Sequence, residues 1–403
     1  MNTTASTAES PSPKTTETIL LAVTGMSPAI LTETIWALAH PGAPADEPVI
    51  PDRIVAVTTA EGRHRLEAIF TPTPQLENRS PWDALRRALA AEGHDLRGKL
   101  RFGTTSADIR VITATDPDTA RSHELPDIRN RAENEAAADF ILEQVRGIVE
   151  NPDTRLIASI AGGRKTMSAL LYACMTLIGR EGDHLTHVLV SEPFESVSGF
   201  WFPGQPGGPL TDPSGNPADP RQALVQLAHV PFVPLRNLFH RELGQPAGSF
   251  RRLVETCQVN VRETVAERIL LEIETTRPES RINGTPIRLS AREHLVLLYF
   301  AERVRAEEPV LSAYDEAING LDAFRKAIQA QAPDNDWSDW RTSEALANPI
   351  DERQLTRCLS EIRSKTKKAG GDAPYLATLL PRKGRCALDL PADHIRILRK
   401  PRE

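Results

Sequence analysis

Apolar positions along this chain follow two rhythms, and the change falls near residue 270. In the first, short apolar runs alternate with helical stripes. Residues 18–24 are an apolar run that stops at Gly25, the pattern of a buried strand. Beyond Gly25-Met26-Ser27-Pro28, the side chains of Ile30, Leu31, Ile35 and Leu38 share one helical face. Pro28 suits a first helical turn, where the missing N–H would have no partner anyway. Residues 53–58 predict a second strand, 71–81 a Pro-rich loop, 82–91 a helix and 109–112 a strand. Helical spacing returns at Ala137, Phe140, Ile141, Val145 and Ile148. Residues 155–160 then read as a strand, 161–166 as a turn, and 167–179 as a helix with Met167, Leu170, Leu171, Cys174, Leu177 and Ile178 on one stripe. A strand at 187–191 follows. Such alternation predicts βα units and a parallel sheet covered on both faces, an α/β domain.

Residues 203–220 are dense in Pro, Gly and Asp and predict a long loop, followed by helices around 222–229 and 250–271. The second rhythm begins with strands at 269–275 and 281–289, with Asn283-Gly284 as a hairpin turn. Ser290 to Glu293 matches a capping box and opens a helix with Leu295, Leu298 and Tyr299 on one face. Residues 310–345 read as an insertion. A helix over 352–368 buries Leu355, Cys358, Leu359 and Ile362 and turns Arg353, Arg357, Arg363, Lys365, Lys367 and Lys368 outward. Residues 375–380 and 385–390, joined by a turn that carries Arg382 and Lys383, predict a basic β-hairpin. Strands, helix, basic helix and basic hairpin in that order describe a winged helix-turn-helix, an α+β domain. The expected division is a disordered start at 1–16, the α/β domain at 17–203, a linker with connecting helices at 204–268, and the winged-helix domain at 269–403 with its insertion.

A length of 403 residues supports more than one core. At 40% hydrophobic and 25% charged, the composition is that of an ordinary globular protein. No apolar run approaches the ~18 residues of a membrane span, and the Ser/Thr/Pro-rich start lacks the features of a signal peptide. Cys174, Cys257, Cys358 and Cys386 are far apart, which argues against disulfides and structural zinc. A cytoplasmic protein with no membrane partner is expected. The net charge is −6, yet residues 353–403 hold thirteen Lys/Arg against five Asp/Glu. That asymmetry suggests that the tail meets something acidic such as nucleic acid, double-stranded DNA if the winged helix holds, the alternative being a solvated basic face.

The turn Ala161-Gly162-Gly163-Arg164-Lys165-Thr166 stands where a strand ends and a helix begins. Its glycines allow close backbone approach, and the helix start offers free N–H groups to a phosphate. Arg164 can fork onto phosphate oxygens and Lys165 adds a mobile point charge. The alternative is an ordinary βα turn. Arg164 stands where a Walker A loop needs Gly, so an ATPase reading is poor. Thr24, Gly25, Met26 and Ser27 close the first strand, so both turns can face one crevice at the carboxyl ends of strands. His184 and His187 lack companions at ligand spacing, so no metal and no cofactor are expected.

With these residues in view, the first half resembles the CARF (CRISPR-associated Rossmann-fold) domains of type III CRISPR accessory proteins, and the ring-nuclease-like family among them. The resemblance rests on residues 23–34, on Ile128-Arg129 with 133–141, on 161–168 and on 180–194, and covers about residues 17–203. It implies a Rossmann-like homodimer that binds a cyclic oligoadenylate, a tetra-adenylate above all, across its two-fold axis. The ring would lie between the 161–166 and 24–27 turns of the two copies. It further implies metal-independent cleavage of that ring by its own 2′-OH, with Lys165, Arg164 and Ser27 as catalytic residues. Thr24, Gly25, Met26, Gly162, Gly163 and Thr166 would bind the ligand. The last part resembles a response-regulator winged helix, which places Arg353, Arg357, Lys365, Lys367, Lys368, Arg382 and Lys383 toward DNA. Two rival functions are a ring-controlled transcription regulator without cleavage, and a ring-activated ribonuclease using Arg288 and His294, which have HEPN-like spacing. A HEPN site needs an all-helical bundle, whereas strand-forming residues precede this pair.

Overall fold

The apolar run near the N-terminus is strand β1 (Glu17–Val23), buried from Ile19 onward. The computed structural model describes residues 16–42, 47–116, 118–238, 249–332 and 338–399. The expected disordered start therefore lies, except for residue 16, outside the described residues, as does part of the 310–345 insertion. The chain divides into two units, Met1–Val254 and Glu255–Glu403.

The first unit continues through α1 (Ala29–Ala39), β2 (Arg53–Thr58), α2 (Ala60–Leu66), α3 (Pro81–Ala91) and β3 (Ile109–Val111). A small hairpin of β4 (Thr113–Thr115) and β5 (Ser122–Glu124) precedes α4 (Arg131–Val149), β6 (Thr154–Ser159), α5 (Lys165–Ile178) and β7 (His184–Val190). A second small hairpin, β8 (Leu210–Thr211) with β9 (Pro217–Ala218), leads into β10 (Val225–His229). The central sheet runs β10-β7-β6-β1-β2-β3, parallel except for the antiparallel edge strand β10. Leu20 pairs with Ile54 on one side and Ile157 on the other, and all three are buried. A central strand covered on both faces has no polar side to show, so β1 reads as a continuous apolar run. Each fully buried Leu or Ile here, such as Leu31, Ile35 or Ile54, contributes roughly 1.5–3 kcal/mol.

The helix expected over 222–229 is instead β10. Val225 and Leu227 alternate with Gln226 and Ala228, a period of two, and the antiparallel ladder to β7 fixes that alternation. The sheet thus extends past residue 203. Phe202 is fully buried against Trp36 of α1, their ring centroids 5.3 Å apart.

The second unit begins within α6 (Phe250–Ala266). Strands β11 (Leu271–Glu274), β12 (Glu279–Ile282), β13 (Thr285–Arg288) and β14 (Ile395–Leu398) form a sheet ordered β13-β12-β11-β14. Asn283 and Gly284 have φ of 46° and 79°, the geometry of a type I′ turn, and Ile282 pairs with Thr285 across it. Against the sheet pack α7 (Ala291–Arg305), α8 (Tyr314–Gln329), α9 (Glu352–Ala369) and α10 (Ala373–Leu379). The Ser290–Glu293 capping box forms at the start of α7, and Asp351 with Gln354 makes another at α9. The expected basic hairpin at 375–390 does not form. Ala373, Leu376 and Ala377 fall at i, i+3 and i+4 and are all buried, so a helical stripe overrides the strand reading. Of the hairpin only an isolated bridge between Arg382 and Arg385 remains. Among the described residues no helix is long and apolar enough to cross a membrane.

Candidate functional site

Strands β1 and β6 are neighbours, yet the chain leaves β1 toward β2 and β3 and later continues from β6 to β7 on the other side. Strand order therefore reverses between them. Loops leaving the carboxyl ends of two such strands diverge and open a crevice, the usual ligand position in doubly wound sheets. The turns at 24–28 and 161–166 leave those two ends.

The two turns touch. A Cβ on Gly25 would lie 2.9 Å from Gly163 Cα, and one on Gly162 would lie 2.7 Å from the Val23 carbonyl oxygen. The glycines thus serve the approach of the turns to each other. Gly162 is buried, while Gly163 is exposed with φ of 77°. Thr24 is misplaced for a surface contact. It is 1% exposed, its Oγ1 has no partner among the described residues, and its carbonyl accepts from Thr58 Oγ1 at 2.9 Å. Met26 and Ser27 are exposed.

Helix α5 starts at Lys165 because Arg164 is extended and Ser168 Oγ donates back to the Ile160 carbonyl at 3.0 Å, tying the first turn to the end of β6. The amides of Lys165 and Thr166 have no acceptor among the described residues, so they present the positive end of the helix dipole. Arg164 does not stand free. Its Nε donates to Asp127 Oδ1 at 2.7 Å and its Nη2 to Oδ2. Arg129 Nε reaches the same carboxylate at 3.2 Å and its Nη2 reaches Glu61 Oε1 at 3.1 Å. The Arg164 hydrogen bond, with help from the Ile128 N–H, holds the Asp127 carboxyl well below the usual carboxylate range. The Nε–Nη2 edge of Arg164 is therefore engaged by Asp127 in this structure, with Nη1 outside the pair. Two arginines face two carboxylates. The charge left over is that of Lys165, which is exposed and has no ion-pair partner among the described residues.

An open depression of about 630 Å³ lies beside this turn, walled by Gly163, Arg164, Lys165 and Thr166 and by Ile128, Arg129, Asn130 and Asn134. Thr24 to Ser27 do not line it. Asn130 caps α4 in a box with Glu133, and Asn134 Oδ1 is buried with no partner among the described residues. Reasoning from sequence gave no role to Asp127, Asn130 and Asn134, although Asn130 and Glu133 have the spacing of a capping box.

In the second unit Arg353, Arg357, Lys367 and Lys368 of α9 are exposed, as is Lys383, while Arg382 is half-buried. Lys365 is half-buried and forms an ion pair with Glu293. Arg288 is exposed on β13, but His294 is fully buried, its Nε2 2.8 Å from the Glu274 carbonyl and its ring edge-on to Trp340. These two do not form a ribonuclease site. His184 faces Arg155 at 2.6 Å, and burial lowers its pKa.

A doubly wound α/β unit with a cationic turn at its switch point, followed by a separate α+β unit with a basic helix, defines the class of protein. The family model described as CRISPR-associated protein NE0113 matches residues 27–262, more than half of the chain, and the chain belongs to that family. It is a CRISPR-associated protein. No curated protein matched the sequence.

Proposed function

We propose that this protein binds a cyclic oligoadenylate between the α/β units of two copies and cleaves it without a metal ion. The observation that carries this reading is the position of Lys165: an uncompensated cation at a helix N-terminus, beside the point where strand order reverses. Helix termini and lysines of this kind favour phosphate, and a two-fold axis would double the site to suit a symmetric polyanion. The family match adds the CRISPR setting, and the CARF resemblance supplies the ring.

Cleavage is an internal transesterification. A ribose 2′-oxygen bonds to the adjacent phosphorus as the bond from phosphorus to the 5′-oxygen breaks. The 2′ proton leaves and the 5′-oxygen gains one, giving a linear product ended by a 2′,3′-cyclic phosphate. Holding the attacking and leaving oxygens in line supplies much of the rate. Lys165 neutralises the charge that builds on the phosphorane, aided by the free amides of Lys165 and Thr166. Ser27 orients the attacking or leaving oxygen, and Arg164, braced by Asp127, contacts phosphate through Nη1. Rings of three, four and six adenylates incubated with the protein in chelator test this. Linear products from the tetra-adenylate, together with elution as a dimer, are expected. Rings left intact and unbound would end the proposal.

The exposed basic residues of α9 favour a second reading, a ring-controlled regulator that docks α9 in the major groove of DNA. No wing hairpin stands beside α9 at 375–390, so docking would rest on that helix alone. Intact ring with salt-sensitive DNA binding would select this reading.

A further inference from the structure

His40 closes α1, and Glu92 and His94 flank the glycine that ends α3. One nitrogen of each imidazole and one Glu92 oxygen all lie within 4.8 Å of one another. We propose that these three residues form a binding site for a first-row divalent metal ion, zinc by preference, that clips the end of α1 to the end of α3.

The ring of His40 is already held as a ligand should be. It stacks on Trp36 with centroids 4.1 Å apart, and its Nδ1 lies 2.9 Å from the Trp36 carbonyl oxygen. A carbonyl can only accept, so Nδ1 carries a hydrogen, and Nε2 is the nitrogen left for a metal once the proton it shares with Glu92 is displaced. That Nε2 points at Glu92 Oε2, 2.9 Å away. An imidazole whose far nitrogen donates to a backbone carbonyl is the usual outer-shell arrangement around a metal. The His94 ring meets that of His40 edge-on at 5.9 Å. The backbone on the other side is fixed too. Gly93 has φ of 93°, and the His94 N–H bonds back to the Leu89 carbonyl at 3.1 Å, so Glu92 and His94 leave one tight cap.

Three electron-pair donors thus converge on one point. A proton serves only the His40–Glu92 pair, whereas a divalent cation serves all three. Two imidazoles and one carboxylate suit zinc, with water in the fourth position, and they disfavour magnesium and calcium, which take oxygen. The ligands are half-buried or exposed, so the ion can enter from solvent. The clip would bridge residues 52 positions apart on the two helices.

The test is a calorimetric titration of zinc chloride into the full chain, free of tag histidines and stripped with chelator. Glu92→Gln and His94→Ala are titrated beside it, and magnesium chloride serves as the control. One zinc per chain is expected, with affinity lost at least roughly 100-fold in each variant, more than an outer-shell change costs. Saturating zinc should raise the melting temperature of the unaltered chain by about 5 °C and leave both variants unmoved. Glu92→Gln is isosteric and exposed, so it decides the matter alone if His94→Ala fails to fold. No zinc uptake, or uptake unchanged in Glu92→Gln, overturns the proposal.

Discussion

Gly25 and Gly163 meet backbone to backbone: a Cβ added to Gly25 would sit 2.9 Å from Gly163 Cα. The contact joins the end of β1 to the turn that launches α5, so the spacing of the two site turns is set by side chains that are absent. No flexible side chain stands at that contact to move aside.

Gly25→Ala should therefore cost about 1–3 kcal/mol, the scale of overpacking, and weaken ring binding as well. Gly147 provides the opposite case. It lies exposed in α4 with nothing within 4 Å of its would-be Cβ, and Gly147→Ala should gain roughly 0.5–1 kcal/mol by restricting the unfolded chain. Urea denaturation of both variants checks the pair of signs. Equal effects would mean that the contact between the turns carries no energy.

Lys165→Ala should slow ring cleavage on the order of 100- to 1,000-fold, as the loss of one charge-stabilising group does elsewhere. Its side chain is exposed, so the denaturation midpoint should stay put. Single-turnover cleavage with excess protein measures the effect without interference from product release. A rate equal to that of the unaltered chain would remove Lys165 from the chemistry.

The Arg164–Asp127 pair makes a prediction about pH. Arg164 holds the Asp127 carboxyl below its unfolded value, so the pair's contribution is present above about pH 4 and fades as pH falls further. Because Arg164 is half exposed to solvent, screening keeps that contribution small. Asp127→Asn should be slightly less stable than the unaltered chain at pH 7, and the gap should begin to narrow only as pH falls below about 4. A gap that widens in acid would show that something other than this ion pair is at work.

Much of the α/β unit could be read along the chain because its strands are buried on both faces and its helices carry continuous stripes. Leu20, Leu171 and Ile141 declare themselves in that way. The strand β10 did not, since its five residues alternate weakly and owe their form to pairing with β7. Tyr375 and Thr378 look like strand formers, yet the buried stripe of Ala373, Leu376 and Ala377 packs as helix α10. At the site, the Gly-Gly-Arg-Lys turn was visible but its electrostatics were not. Asp127 lies 37 residues from Arg164, and only the folded sheet brings the carboxylate to the guanidinium. The residues His40 and Glu92 are likewise joined only by the packing of α1 beside α3.

His294 gives the second unit a stability that depends on pH. Its Nε2 faces the Glu274 carbonyl and so carries the hydrogen, while Nδ1 is buried with no partner among the described residues. A second proton would place an unsatisfied N–H and a charge in the core, and this burial pushes the imidazole down from 6.5 to about 4. With the folded value below the unfolded one, the unfolded chain takes up the proton first as pH falls. Stability is therefore undiminished above about pH 6.5 and declines toward pH 4, by roughly 3 kcal/mol across that window. His294→Gln keeps a donor for Glu274 and has nothing to titrate there. The difference in unfolding free energy between this variant and the unaltered chain should be largest at pH 7 and shrink steadily toward pH 4. A difference that stays constant from pH 7 to pH 4 would mean that His294 is not the group that titrates.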